Sequence, residues 1–90
     1  MEELVKALRE TSNLLDCSKD SVWASQSVAE INKTLQENIA ALETSGAYNG
    51  ATLKQLFAPT GPVQEISISN GWPDAYIRLS LVVDRYTEHK

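Results

Sequence analysis

The apolar pattern of residues 20–44 constrains this chain more than any other feature. Ala24, Val28, Ile31, Leu35, Asn38, Ile39 and Leu42 recur at intervals of three and four, while Gln26, Lys33, Gln36, Glu37 and Glu43 occupy other faces. That spacing predicts one long amphipathic helix over 20–44, capped by Ser18 or Asp20 and ended by Gly46 in the left-handed conformation. A helix of this composition is not stable in isolation, so its stripe must be covered by another element.

The rest of the chain supplies such elements. Leu4, Leu8, Thr11 and Leu15 follow helical spacing and predict a helix over 2–16, with Glu2 and Glu3 at the positive end of its dipole. Leu53, Leu56 and Phe57 suit a short helix over 51–58, which Pro59 ends. The stretch Pro59-Thr60-Gly61-Pro62 reads as a rigid loop. Beyond it the pattern supports two readings. Ala75, Leu79, Val82, Val83 and Tyr86 fit a helix over 74–88, but Ile77, Leu79, Leu81 and Val83 alternate as a strand would. With Ile66 and Ile68 across the Asn70-Gly71 turn, a β-hairpin over 63–83 can be drawn. Pro73 and Asp74 suit a helical first turn, and the uninterrupted run after them is long for a strand, so helix is preferred.

The expected fold is therefore all-α, a single domain over 1–90 built as a bundle of three to four helices with one long central helix. The alternative is α+β with the C-terminal hairpin. The expected core comprises Leu4, Leu8, Leu15, Val28, Ile31, Leu35, Ile39, Leu42, Leu53, Leu56, Phe57, Leu79 and Val82.

Composition removes several functional classes. Twelve acidic against eight basic residues give a net charge of -4, which argues against a nucleic-acid or anionic-membrane binder. An apolar fraction of 42% is too high for a disordered chain. Met1-Glu2-Glu3-Leu4-Val5-Lys6 has neither the basic start nor the apolar run of a secretory signal, no run approaches a membrane span, and Cys17 is the only cysteine. A cytoplasmic protein is the expectation.

Catalytic and metal chemistry find little to work with. His89 is the only histidine, and one His with one Cys cannot make a nitrogen- or sulfur-type metal site. Cys17 and His89 could form a nucleophile–base pair, but the bland assignment, a partly buried cysteine between helices and a solvated histidine, is favoured. Glu30, Lys33 and Glu37 share a helical face as ordinary surface pairs do. No EF-hand, phosphate-binding glycine loop, dinucleotide fingerprint or zinc-protease motif is present. The expectation is a protein that is not an enzyme and has no cofactor or metal.

Binding is the remaining class. Trp23, one residue off the main stripe, and Trp72, in the Asn70-Gly71-Trp72-Pro73 turn, are expected as core plugs; were both exposed, an interface would explain them better. The residues best suited to contact a partner are acids and aromatics away from the stripe: Glu30, Glu37, Glu43, Tyr48 and Trp72.

The segment Lys54-Gln55-Leu56-Phe57-Ala58-Pro59-Thr60-Gly61-Pro62-Val63-Gln64-Glu65-Ile66-Ser67-Ile68, within residues 54–70, resembles the C-terminal signature of small bacterial helical proteins that include immunity proteins of the Maf-type polymorphic toxins. There a short helix ending in Leu-Phe leads through a glycine-containing turn to an apolar–amide–acid–apolar tetrad and a final helix. Val63-Gln64-Glu65-Ile66 would be that tetrad, and Pro62 stands where a second glycine is expected. The resemblance implies a cytoplasmic inhibitor that binds a cognate toxin without catalysis. An acidic inhibitor attracts a basic partner, which fits the net charge. The alternative is a small structural or assembly protein acting as a homodimer, since a chain this short buries only about two-thirds of its unfolded surface.

Overall fold

The computed structural model describes residues 2–87. Five helices follow one another: α1 (Glu2–Asp16), α2 (Val28–Thr44), α3 (Gly50–Phe57), α4 (Pro62–Ser69) and α5 (Pro73–Thr87). The all-α expectation holds, with five helices where three to four were expected. No strand occurs among the described residues.

Two corrections concern helix extent. The helix expected over 20–44 begins only at Val28, because Ser27 caps it. The Ser27 side chain accepts the Glu30 backbone N–H, and the Glu30 carboxylate accepts the Ser27 N–H, which completes a capping box. Asp20, expected as a cap from within the continuous pattern, acts across the loop instead, its Oδ1 accepting the Val28 N–H at 2.7 Å. At the other end Gly46 adopts φ +75, as expected.

The second correction is α4, formed from residues whose pattern suits a loop and a strand. Burial separates the two readings directly. A strand would place Ile66 and Ile68 on one face, whereas on a helix they lie on different sides. Ile66 is fully buried and Ile68 is 56% exposed. Along α5, Leu79 and Val83 are likewise buried while Ile77 and Leu81 are exposed, so the hairpin reading over 63–83 is overturned.

Gly61 is the hinge that lets α3 fold back into α4. A Cβ there would lie 2.8 Å from the carbonyl oxygens of both Ala58 and Gln55, so only glycine permits this approach. Thr60 beside it holds φ +62, a costly conformation for a β-branched residue. Its N–H is secured by the Gln64 side chain.

The core is one cluster drawn from all five helices. The central position expected for the long helix belongs to α5, which packs on α1, α3 and α4; α2 packs mainly on α1 and touches α4. Ten of the expected core residues are buried, whereas Val28, Leu42 and Val82 are half-buried against the cluster. Ala7, Val63, Ile66, Tyr76 and Val83 complete it. The α1–α2 seam carries a polar chain in which Gln36 Nε2 donates to Ser12 Oγ, Ser12 Oγ to Asn32 Oδ1, and Asn32 Nδ2 to Asp16 Oδ1. Among the described residues every buried side-chain nitrogen and oxygen has a partner. The radius of gyration, 11.9 Å, matches the roughly 12 Å expected of a compact chain this long.

Candidate functional site

The α1–α2 connection, residues 17–27, carries the most exposed large apolar side chains among the described residues. Val22 is 92% exposed and Trp23 79%. Trp23, expected in the core, therefore faces solvent, and the reason is the late start of α2. Residues 21–27 carry helical spacing, but the Ser27–Glu30 box removes them from the helix and turns Trp23 outward.

The connection is held against the body of the protein. The Lys19 backbone makes two bonds to one side chain: its N–H donates to Asn70 Oδ1 and its carbonyl accepts from Asn70 Nδ2, both at 2.9 Å. Ser69 Oγ donates to Ser21 Oγ at 2.9 Å, and the Trp23 N–H donates to the same Ser21 oxygen at 3.2 Å. The Asp20–Val28 bond closes the base of the excursion. Val22 and Trp23 thus sit on a braced loop with the exposed Ile68 next in sequence to its anchor Ser69.

Trp72 is part of the bracing. Half-buried against the core, it donates from Nε1 to Ser18 Oγ at 2.9 Å, while Ser18 Oγ donates to the Leu14 carbonyl. Gly71, at φ +81, permits the turn in which the Trp72 N–H reaches the Ser67 carbonyl. One expected core tryptophan therefore supports the loop from which the other projects.

The electrostatics around the loop are negative. Residues 16–33 hold Asp16, Asp20 and Glu30 against Lys19 and Lys33, and neither lysine is in a described ion pair with them. The hydrogen bonds of the capping box hold the Glu30 carboxyl below its ordinary pKa, partly opposed by the charge of Asp20. The three arginines are engaged elsewhere, Arg9 with Glu43, Arg78 with Glu10 and Arg85 with Glu3.

The residues anticipated as partner contacts are dispersed. Glu30 borders the loop. Glu37 is exposed about 10 Å further along α2, on a shallow groove shared with Thr34, Asn38 and Asn49. Glu43, about 20 Å from Glu30 along the axis, is paired with Arg9. Tyr48 is half-buried and donates its hydroxyl to the Tyr86 carbonyl at 2.5 Å, fixing the α2–α3 connection to α5. The structure thus brings Glu30 to the loop supported by Trp72, and leaves Glu37, Glu43 and Tyr48 apart from it. The residues missed were Val22, Trp23 and Asp20. The signal for them was the sequence Ser27-Val28-Ala29-Glu30, a capping box inside an apparently continuous helical stripe.

Cys17, expected to be partly buried, is exposed. His89, its suggested partner, lies outside the described residues. Among the described residues no group of three or more His, Cys, Asp or Glu is placed to hold a metal ion, and no helix is long and apolar enough to cross a membrane. Comparison with protein-family models, curated proteins and solved structures finds no match.

Proposed function

We propose that this chain is a non-catalytic binding protein that docks a protein partner through the α1–α2 connection. The observation that carries the reading is the exposure of Val22 and Trp23 on a braced segment. Two such side chains in water forgo roughly 4–6 kcal/mol that burial would supply. Bracing supports a binding role, because a loop backbone already held in place loses little freedom on association. Within this reading, the chain acts as an immunity-type inhibitor of a basic toxin. The resemblance of residues 54–70 and the net charge of -4 support that role.

A homodimeric assembly protein is the second reading, favoured by Ile68, Ile77 and Leu81, exposed on α4 and α5. The closed core weighs against it, since this chain reaches full compaction by itself.

Affinity purification of the tagged chain from its native cell, beside a Val22→Ser/Trp23→Ala variant, tests the docking reading. A basic protein recovered in equal amount with the parent and lost with the variant is the expected result. Recovery unchanged by the double substitution would overturn the assigned surface, and a dimer of the chain alone would favour assembly.

A further inference from the structure

We infer that the partner bound at the α1–α2 connection presents arginine side chains, one of which stacks on Trp23 with Asp20 and Glu30 supplying the opposing charge. The inference rests on the docking reading above and identifies the chemistry of the occupant.

The apolar tip alone would accept many surfaces, and its surroundings narrow the choice. Asp20 lies three residues before Trp23, and its bond to the Val28 N–H returns the chain to the start of α2. Glu30 Oε1 accepts the Ser27 N–H and Asp20 Oδ1 the next N–H, that of Val28, so the two carboxylates sit on consecutive amides at the start of α2. An indole is therefore carried on a loop whose closed base holds two oriented anions. The arginines of this chain are committed to Glu3, Glu10 and Glu43, and the neighbouring cations Lys19 and Lys33 are in no described ion pair with Asp20 or Glu30.

Each alternative occupant meets a physical obstacle. A neutral apolar partner covering Trp23 would strip water from Asp20 and Glu30 without replacing it. A second copy placed loop to loop would bring like charges together. Phosphate-bearing surfaces, whether lipid or nucleic acid, would be repelled. A guanidinium satisfies both parts of the site, since its flat face stacks on an indole while its N–H groups bond carboxylates. An ammonium offers no planar face for stacking.

The test uses the full ¹⁵N-labelled chain and three blocked probe peptides: hexa-arginine, hexa-lysine and an uncharged Gly-Ser hexamer. The two indole N–H resonances give separate readouts, with Trp72 as the internal reference because its N–H is bonded to Ser18. Hexa-arginine is expected to move the Trp23 indole and the amides of 20–30 saturably, and to bind several-fold more tightly than hexa-lysine. The Gly-Ser peptide should move neither.

Asp20→Asn/Glu30→Gln keeps both capping oxygens and removes both charges, so the loop stays closed; it should weaken hexa-arginine binding about tenfold. Trp23→Ala should weaken it comparably, and Glu37→Gln/Glu43→Gln should leave it nearly unchanged. Equal loss in the last variant, or a Trp23 indole unmoved by hexa-arginine, would overturn the inference. The native partner separates this inference from the broader reading. Retention by Asp20→Asn/Glu30→Gln with loss in Val22→Ser/Trp23→Ala would overturn only the arginine assignment, while retention by both variants would overturn the docking surface itself.

Discussion

At the residue scale, three positions carry constraints that composition does not show. Gly61 has no room for a side chain, so Gly61→Ala should destabilise the fold by about 2 kcal/mol or more, read as a lower urea midpoint. Thr60 next to it poses the opposite problem, a β-branched residue at positive φ. Thr60→Gly should stabilise the fold by up to about 1 kcal/mol, read as a higher urea midpoint, because relief of strain exceeds the added freedom of the unfolded chain. Tyr76 is buried and donates its hydroxyl to the Phe57 carbonyl at 2.7 Å, linking α5 to the end of α3. Burial, reinforced by Asp84, raises its pKa above the ordinary value of 10.0. A raised folded-state pKa contributes stability that is complete below the unfolded value and is lost as pH rises through the folded one. Stability should thus fall on the alkaline side of about pH 10. Tyr76→Phe should flatten that limb while costing about 1–3 kcal/mol at neutral pH for the stranded carbonyl. Denaturation midpoints measured from pH 7 upward would check both effects.

At the element scale, the start of α2 decides what the connection can do. Ser27→Ala removes the cap and should cost about 1 kcal/mol, with faster amide exchange over the first turn of α2. Because the box also turns residues 21–27 away from the helix, its loss should alter the environment of Trp23, visible as a shift in its fluorescence. Glu30 belongs to the same device. Its depressed pKa means that its contribution is present above the ordinary carboxylate value of 4.5 and is lost as pH falls through the folded-state value. The α4 helix makes an equally sharp prediction. Ile66→Ala should cost about 2–5 kcal/mol and Ile68→Ala less than about 0.5, although the two residues are only two positions apart. Comparable losses at both would contradict the helical packing.

At the scale of the whole molecule, the division of charge matters more than its total. The described ion pairs join α1 to α2 and to α5, across exposed positions where solvent screens them. Their main consequence is to engage the arginines there, leaving the connection end of the molecule acidic. The apolar loop at that end contributes little to the core, so Val22→Ser/Trp23→Ala should change the unfolding free energy by less than about 0.5 kcal/mol while abolishing partner recovery. A large loss of stability would instead show that Trp23 packs, and that the binding reading fails. In sedimentation the isolated chain should behave as a monomer, as its closed core suggests.

The helical class, the extents of α1 and α3 and the start of α5 to within a residue, and most of the core are legible in the chain alone. Those properties follow from apolar periodicity, a local signal that survives any tertiary arrangement. Leu4, Leu8, Ile31, Leu35 and Leu79 could be assigned inward without knowing what they would touch. Tertiary structure decided the rest, because the competing local signals were nearly balanced. Ile66 and Ile68 suited a strand until packing buried one and exposed the other. Residues 20–27 suited a helix until Asn70 and Ser69, about fifty positions along the chain, drew Lys19 and Ser21 away from that path. The placement of Trp23 outside the core therefore combined a local capping box, legible at Ser27 and Glu30, with bonds between distant segments that no local periodicity records.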